Sequence, residues 1–246
     1  FDPNTLRPSR FKRSMRPGAW EVMSSEFERT VMAGYGREIS SDSEVKFWTG
    51  ITSATKTAIA ALTPGTANTA IGAAEQTWSA AQTAGQIDGV VAKMLYNNGA
   101  LGLRVKVAGT TVSSSNIAAE YAKCYTALPA VVLAQTEKPY IYAPYSHKQL
   151  INIYNVSATY RDLFAVDIKA DKYFYNGIEI KFVPLSENVI IVALPSNLIW
   201  ATDLVADINR MEINKIANNR EDMFVKTIFT IAAHVARQAT NVLYIG

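Results

Sequence analysis

The chain has 246 residues, 49% hydrophobic and 18% charged, with a net charge of +3. That length allows one large domain or two interleaved ones, and so small a charge argues against nucleic-acid binding over the whole surface. The single cysteine, Cys124, excludes an intrachain disulfide, and no apolar run reaches the ~18–20 residues of a membrane span, so the fold stands on packing.

Residues 1–18 read as an extended N-terminal arm. Pro3, Pro8 and Pro17 break helix, and Arg7, Arg10, Lys12, Arg13 and Arg16 are opposed only by Asp2. Two readings stand: a solvated tail, or a basic arm that touches phosphate or acidic protein. The first residue is Phe1, not Met, which reads as a removed N-terminus or a partial chain. From Ala19, Trp20, Met23, Phe27 and Val31 recur at helical spacing, with Glu21, Glu26 and Glu28 near the start, where the helix dipole favours acids. Gly34 and Gly36 are expected to end or interrupt this helix, and Ser41 or Asp42 to cap a second, short one holding Val45, Phe47 and Trp48.

Residues 51–86 are compositionally odd. Ala, Thr, Ser and Gly make up 24 of the 36, and only Lys56 and Glu75 are charged. Such a stretch cannot build a strong core by itself. It reads as a disordered loop or as a surface insertion ordered only against a neighbouring subunit, with helix possible over Ile71 to Ala84. Leu103 to Val107 alternates as a short strand. Ser113 to Asn116 is a good helix start, and Ile117, Tyr121, Cys124 and Leu128 then form one apolar stripe up to Pro129.

Tyr140 to Ala143 reads as a buried strand closed by Pro144, and His147 to Tyr154 as a helix burying Leu150, Ile151 and Tyr154. The clearest local signal follows. Asn176-Gly177 sits between Tyr173-Phe174-Tyr175 and Ile178 to Val183, and the positive φ tolerated by Asn and Gly predicts a tight hairpin there. Val189 to Leu194 is a further strand. After the link Pro195 to Leu204, two long strands over Asn209–Ile216 and Met223–Ala232 flank a polar turn. Helices and mostly antiparallel strands without βαβ alternation make the fold class α+β.

No chemistry-bearing constellation emerges. His147 and His234 are the only histidines, and Cys124 falls on an apolar helical stripe, where a buried structural thiol is the better reading than a nucleophile. No phosphate loop, dinucleotide fingerprint or GxSxG elbow occurs. Asp203 and Asp207 would share a helix face, but lacking a partner base they read as solvated or capping groups.

The order of segments from about Ser114 onward resembles the major capsid proteins of tailed bacteriophages, the Hong Kong 97-type fold. The residues that carry the resemblance are the capped helix ending at Pro129, the strand and helix at 140–154, and the turn Asn176-Gly177-Ile178. To these are added the run Pro195-Ser196-Asn197-Leu198-Ile199-Trp200-Ala201-Thr202-Asp203-Leu204 with Asp207 and Asn209, and the earlier Asp88-Gly89. Ala201 departs from the family's usual Gly.

The resemblance implies a peripheral domain over 19–137 with 51–86 as an insertion and a long spine helix at about 115–135. It implies an axial domain over 138–194, and a return to the peripheral domain over 195–246 with a long β-hairpin. The turn residues Asn218, Asn219, Arg220 and Glu221 would be subunit contacts. By the same resemblance the protein is structural, not an enzyme, with no cofactor and no membrane. It would assemble in the host cytoplasm into the hexamers and pentamers of an icosahedral virion capsid around double-stranded DNA, which it contacts non-specifically. Portal, scaffold or decoration proteins would be further partners. An encapsulin-type compartment is the alternative on the same fold; an unrecognised cytosolic α+β enzyme or binding domain is the alternative of another class.

Overall fold

The computed structural model describes residues 25–157, 163–202, 211–215, 223–227 and 230–246. The chain divides into two compact units, residues 1–43 with 202–231 and residues 44–201 with 232–246. The boundaries expected at 137/138 and 194/195 both fall inside the second unit, because one sheet takes strands from either side of each.

The first helix, α1 (Ser25–Thr49), is continuous over 25 residues. Gly34 and Gly36 do not end it: neither takes the positive φ of a helix stop. A glycine inside a helix costs only about 1 kcal/mol, too little to break a run this long. Ser41 and Asp42 are therefore interior residues, not caps.

The Ala/Thr-rich stretch is built into the second unit, which overturns both readings of it as a disordered loop or a segment ordered only by a neighbour. Thr52 accepts the Thr55 amide and caps α2 (Ser53–Ala60). Glu75 accepts the Gly72 amide at 2.6 Å at the start of α3 (Ala73–Ala81). Ile51, Ile59, Ile71 and Trp78 enter the core. Burying each contributes roughly 1.5–3 kcal/mol, so four large side chains spaced among small ones anchor what composition alone would leave loose.

The short helix α4 (Val90–Leu95) is buried on nearly every side. The two-residue strands β1 (Tyr96–Asn97) and β2 (Ala100–Leu101) pair around Asn98-Gly99, both at positive φ. After β3 (Val105–Ala108) comes the expected helix, but not as one spine over 115–135. It divides into α5 (Ile117–Thr126) and α6 (Ala130–Leu133), with Pro129 in extended backbone at the start of α6. Proline has no amide for the helical ladder and disfavours helical geometry in the residue before it, so the run splits there. The stripe Ile117, Tyr121, Cys124 and Leu128 is buried as expected.

The rest of the second unit is β4 (Tyr140–Pro144), α7 (Tyr145–Ser157), β5 (Phe164–Asp167), β6 (Lys172–Tyr175), β7 (Ile178–Val183), β8 (Val189–Ala193), β9 (Leu198–Ala201), β12 (Ala232–Val235) and β13 (Val242–Ile245). Seven strands form one sheet in the order β3-β13-β8-β4-β7-β6-β5. The β6–β7 hairpin pairs Tyr175 with Ile178 as predicted, with Asn176 and Gly177 at φ 46° and 80°. Two pairs, β3 with β13 and β4 with β7, are parallel.

Side chains alternate between the two faces. Val189, Ile191, Leu243 and Tyr142 pack against α2, α3, α4 and Trp48; Ile190, Val192, Val242, Tyr244 and Ile141 pack against α5, α6 and α7. A sheet covered on both sides yields near-continuous apolar strands, which is why all five residues of β8 are buried.

In the first unit, β10 (Met211–Lys215) and β11 (Met223–Thr227) are antiparallel, from Met211↔Thr227 to Lys215↔Met223. The second expected strand does not continue to Ala232, which pairs instead with Ala201 in the β9–β12 ribbon.

Candidate assembly surface

The contact candidates Asn218, Asn219, Arg220 and Glu221 lie outside the described residues, as do the basic-arm residues Arg7, Arg10, Lys12, Arg13 and Arg16, and the pair Asp203 and Asp207. The strands that flank the candidate turn are in place.

The chemistry-bearing side chains are locked in the core or stand alone. Cys124 is fully buried and burial pushes its thiol well up, away from the nucleophilic thiolate. His234 is exposed on β12. His147 is fully buried: its Nε2–H donates to the Glu187 carbonyl at 2.8 Å and its Nδ1 accepts the Tyr121 hydroxyl at 3.1 Å. Both ring nitrogens are thus used by a neutral imidazole, and burial depresses its pKa to about 4. Among the described residues no group of three His, Cys, Asp or Glu comes together to hold a metal ion. No helix of the described residues is long and apolar enough to cross a membrane.

His147 sets a pH dependence. The unfolded chain binds a proton near pH 6.5 and the folded one only near 4, so stability is complete above about 6.5 and falls as the pH drops toward 4. The loss across that window is on the order of 3 kcal/mol. Urea unfolding at pH 7 and pH 4.5 measures it, and His147→Gln is expected to flatten the slope. Glu120 titrates lower than an ordinary carboxylate. Burial pushes it up, but bonds from Lys123, Tyr244 and Thr110 outweigh that and hold the carboxyl below its ordinary value.

Three polar anchors hold the irregular segments. Asp88 accepts the Thr52 amide at 2.7 Å and the Thr55 hydroxyl at 2.8 Å, which fixes the start of α2. Arg104 is fully buried and forks onto Glu75, and it also donates to the Gly102 and Ala70 carbonyls. Beside it, Lys106 Nζ bonds the Gly65 carbonyl while Asn68 Oδ1 takes the Lys106 amide at 3.0 Å. Residues 65–75 therefore cover edge strand β3. Asn197, from the Pro195 run, is buried and donates to Asn241 Oδ1 and Thr240 Oγ1. Sequence reasoning singled out Asp88 and the Pro195 run; it missed Arg104, whose only signal was a basic residue, with Lys106, alternating with apolar ones along a short strand.

The opposite sheet edge differs. Among the described strands, β5 pairs with β6 alone. Helix α7 lies along this β5–β6 hairpin, tied by Lys148–Asp171 (2.7 Å), Tyr173 to Asn152 (3.3 Å) and Asn155 to the Phe164 carbonyl (3.3 Å). Its outer side carries Tyr145, Gln149, Ile153 and Val156, all exposed.

No family model matches the chain, and no curated protein does. Over its whole length it is similar to 67% of a chain in the structure "Satellite phage P4 procapsid including size determination (Sid) protein", with a TM-score of 0.52 and 10% sequence identity. The fold is phage-capsid-like. At that identity the likeness is one of fold alone. The α+β class read from the sequence is the class of the structure.

Proposed function

We propose that this chain is a structural shell subunit, a major capsid protein of the Hong Kong 97 type from a tailed bacteriophage. The observation that carries the reading is a fold shared over the whole chain with a chain of a phage procapsid structure. In this reading it self-assembles in the host cytoplasm into hexamers and pentamers, and these close an icosahedral virion capsid around double-stranded DNA. A shell works through interface area, typically above about 1,000 Å² for each specific contact. Closed symmetry keeps such self-association finite. The inward-turned chemistry of Cys124 and His147 is compatible with a subunit that binds rather than reacts.

The finer assignments follow the same reading. Residues 138–194 supply the axial domain. The turn bearing Asn218, Asn219, Arg220 and Glu221 meets a neighbouring copy, and Arg7, Arg10, Lys12, Arg13 and Arg16 contact DNA phosphates or acidic protein. Portal, scaffold and decoration proteins are the further partners.

Electron microscopy of the purified full chain tests the proposal: closed shells of uniform diameter are expected. A species that stays monomeric under all assembly conditions overturns it. Packaged DNA distinguishes a viral shell from a cargo compartment.

A further inference from the structure

An asparagine followed by glycine readily loses its side-chain amide, because glycine has no Cβ to shield its nitrogen from the preceding side chain. The chain has two such dipeptides, Asn98-Gly99 and Asn176-Gly177. The structure places both at the same point of the same motif. Each pair forms the exposed turn between two antiparallel strands, with φ of 51° and 82° in the first and 46° and 80° in the second. Nothing lies within 4 Å of the Cβ position of either glycine. Dipeptide and turn geometry therefore do not tell the two sites apart.

The strands behind the turns do. Asn176-Gly177 joins Tyr175 to Ile178, both buried in the core. Its strands β6 and β7 are interior members of the seven-stranded sheet, with β5 on one side and β4 on the other. The Asn176 amide also donates to the Leu163 carbonyl at 3.4 Å. Opening this turn means disturbing that sheet. Asn98-Gly99 joins Asn97, half-buried, to Ala100, exposed. Among the described strands β1 and β2 pair only with each other, over two residues each. Anchoring begins one pair behind the tip, where Tyr96 and Leu101 pack on the core and the Gly102 amide donates to the Leu95 carbonyl at 2.9 Å. A two-stranded hairpin is only marginally stable in water, so this tip opens locally while the core behind it stays folded.

Opening is what the chemistry needs. The glycine nitrogen reaches Cγ of the asparagine before it only when the backbone between them rotates, and a closed, strand-flanked turn resists that rotation. We propose that Asn98 is a site of spontaneous modification, converting to aspartate and isoaspartate in the folded protein with water as the co-reactant, while Asn176 is protected by its sheet. The Gly99 nitrogen gives up its proton and forms a C–N bond to Asn98 Cγ. The bond from Cγ to the side-chain nitrogen breaks, and ammonia leaves with a proton taken from water. Water then adds to one of the two carbonyl carbons of the five-membered imide and opens the ring; no electrons are gained or lost. Either product puts a carboxylate where a neutral amide stood, and the isoaspartate also adds one backbone carbon to the turn. The inference needs only the β1–β2 hairpin and is independent of the shell reading.

The test is incubation of the folded full chain in water enriched in oxygen-18, followed by tryptic digestion in ordinary water and mass spectrometry. Only conversions during the incubation carry the label. The peptides Met94–Arg104 and Tyr173–Lys181 each hold one of the two dipeptides. In the folded chain the first is expected to take up label about tenfold faster than the second, or more. In unfolding concentrations of urea the two rates are expected to converge. Asn98→Gln, with the circular dichroism of the unaltered chain, is expected to lose the label from its peptide. Equal rates in the folded chain, or faster labelling of Tyr173–Lys181, overturn the proposal. So does a folded chain that stays unlabelled at both sites while urea labels both. A rate difference that persists unchanged in urea overturns it as well, since sequence context and not the fold would then set it. Label that survives Asn98→Gln overturns the assignment to Asn98.

Discussion

Arg104→Ala is expected to destabilise the subunit by about 3–5 kcal/mol. The melting temperature should fall by on the order of 10 °C for a chain this long. The guanidinium is fully buried, and its removal strands a buried Glu75 carboxylate together with the Gly102 carbonyl, while the Ala70 carbonyl keeps only Lys106. An uncompensated buried charge is far costlier than the pair it belonged to. Lys148→Ala is the contrast, since its partner Asp171 is largely exposed and screened by water; that loss is expected to be far smaller. Paired thermal melts measure both, and equal losses would contradict the argument. Arg104→Met with Glu75→Leu should recover part of the stability, but not all, because the Gly72 amide and the Gly102 carbonyl still lack their partners.

Gly89→Ala is the second large effect, a loss of about 3 kcal/mol. A Cβ there would stand 2.5 Å from the Lys46 carbonyl oxygen, 2.6 Å from that of Phe47 and 2.9 Å from the Gly50 amide. These are backbone atoms at the end of α1 and cannot rotate aside. The next residue back, Asp88, is pinned to Thr52 and Thr55, which blocks the other escape. Gly34→Ala provides the opposite sign: nothing lies within 4 Å of its Cβ position and the residue is helical, so a gain of up to about 1 kcal/mol is expected. Urea midpoints of the two variants decide it.

These positions also show what could be read from the sequence. The Asn176-Gly177 hairpin was legible because a single turn geometry demands that dipeptide. The stripe on α5 was legible because helical spacing is periodic and local. The short run Asp88-Gly89 and the Pro195 link were noticed as motifs, but their roles as pins come from partners far along the chain, Thr52 and Asn241. The order in residues 51–86 was not legible, since it depends on where Ile51, Ile59, Ile71 and Trp78 land in three dimensions and on a clamp from Arg104. The split of the expected spine helix was signalled by Pro129 itself.

Strand β13 has a consequence for the order of events in making the subunit. It lies between β3 and β8, and among the described strands it is the only sheet partner of β3. Val105 must wait for Val242, residues apart by more than half the chain, before that end of the sheet can form. Ribosome-bound chains therefore cannot complete this sheet before residues 242–245 have been made. A subunit whose synthesis stops before Val242 carries an unpaired β8 edge and a β3 with no neighbour, and is marked as unfinished by its own exposed backbone. Strand β13 is thus a closing strand: the sheet is complete only once residues 242–245 are in place.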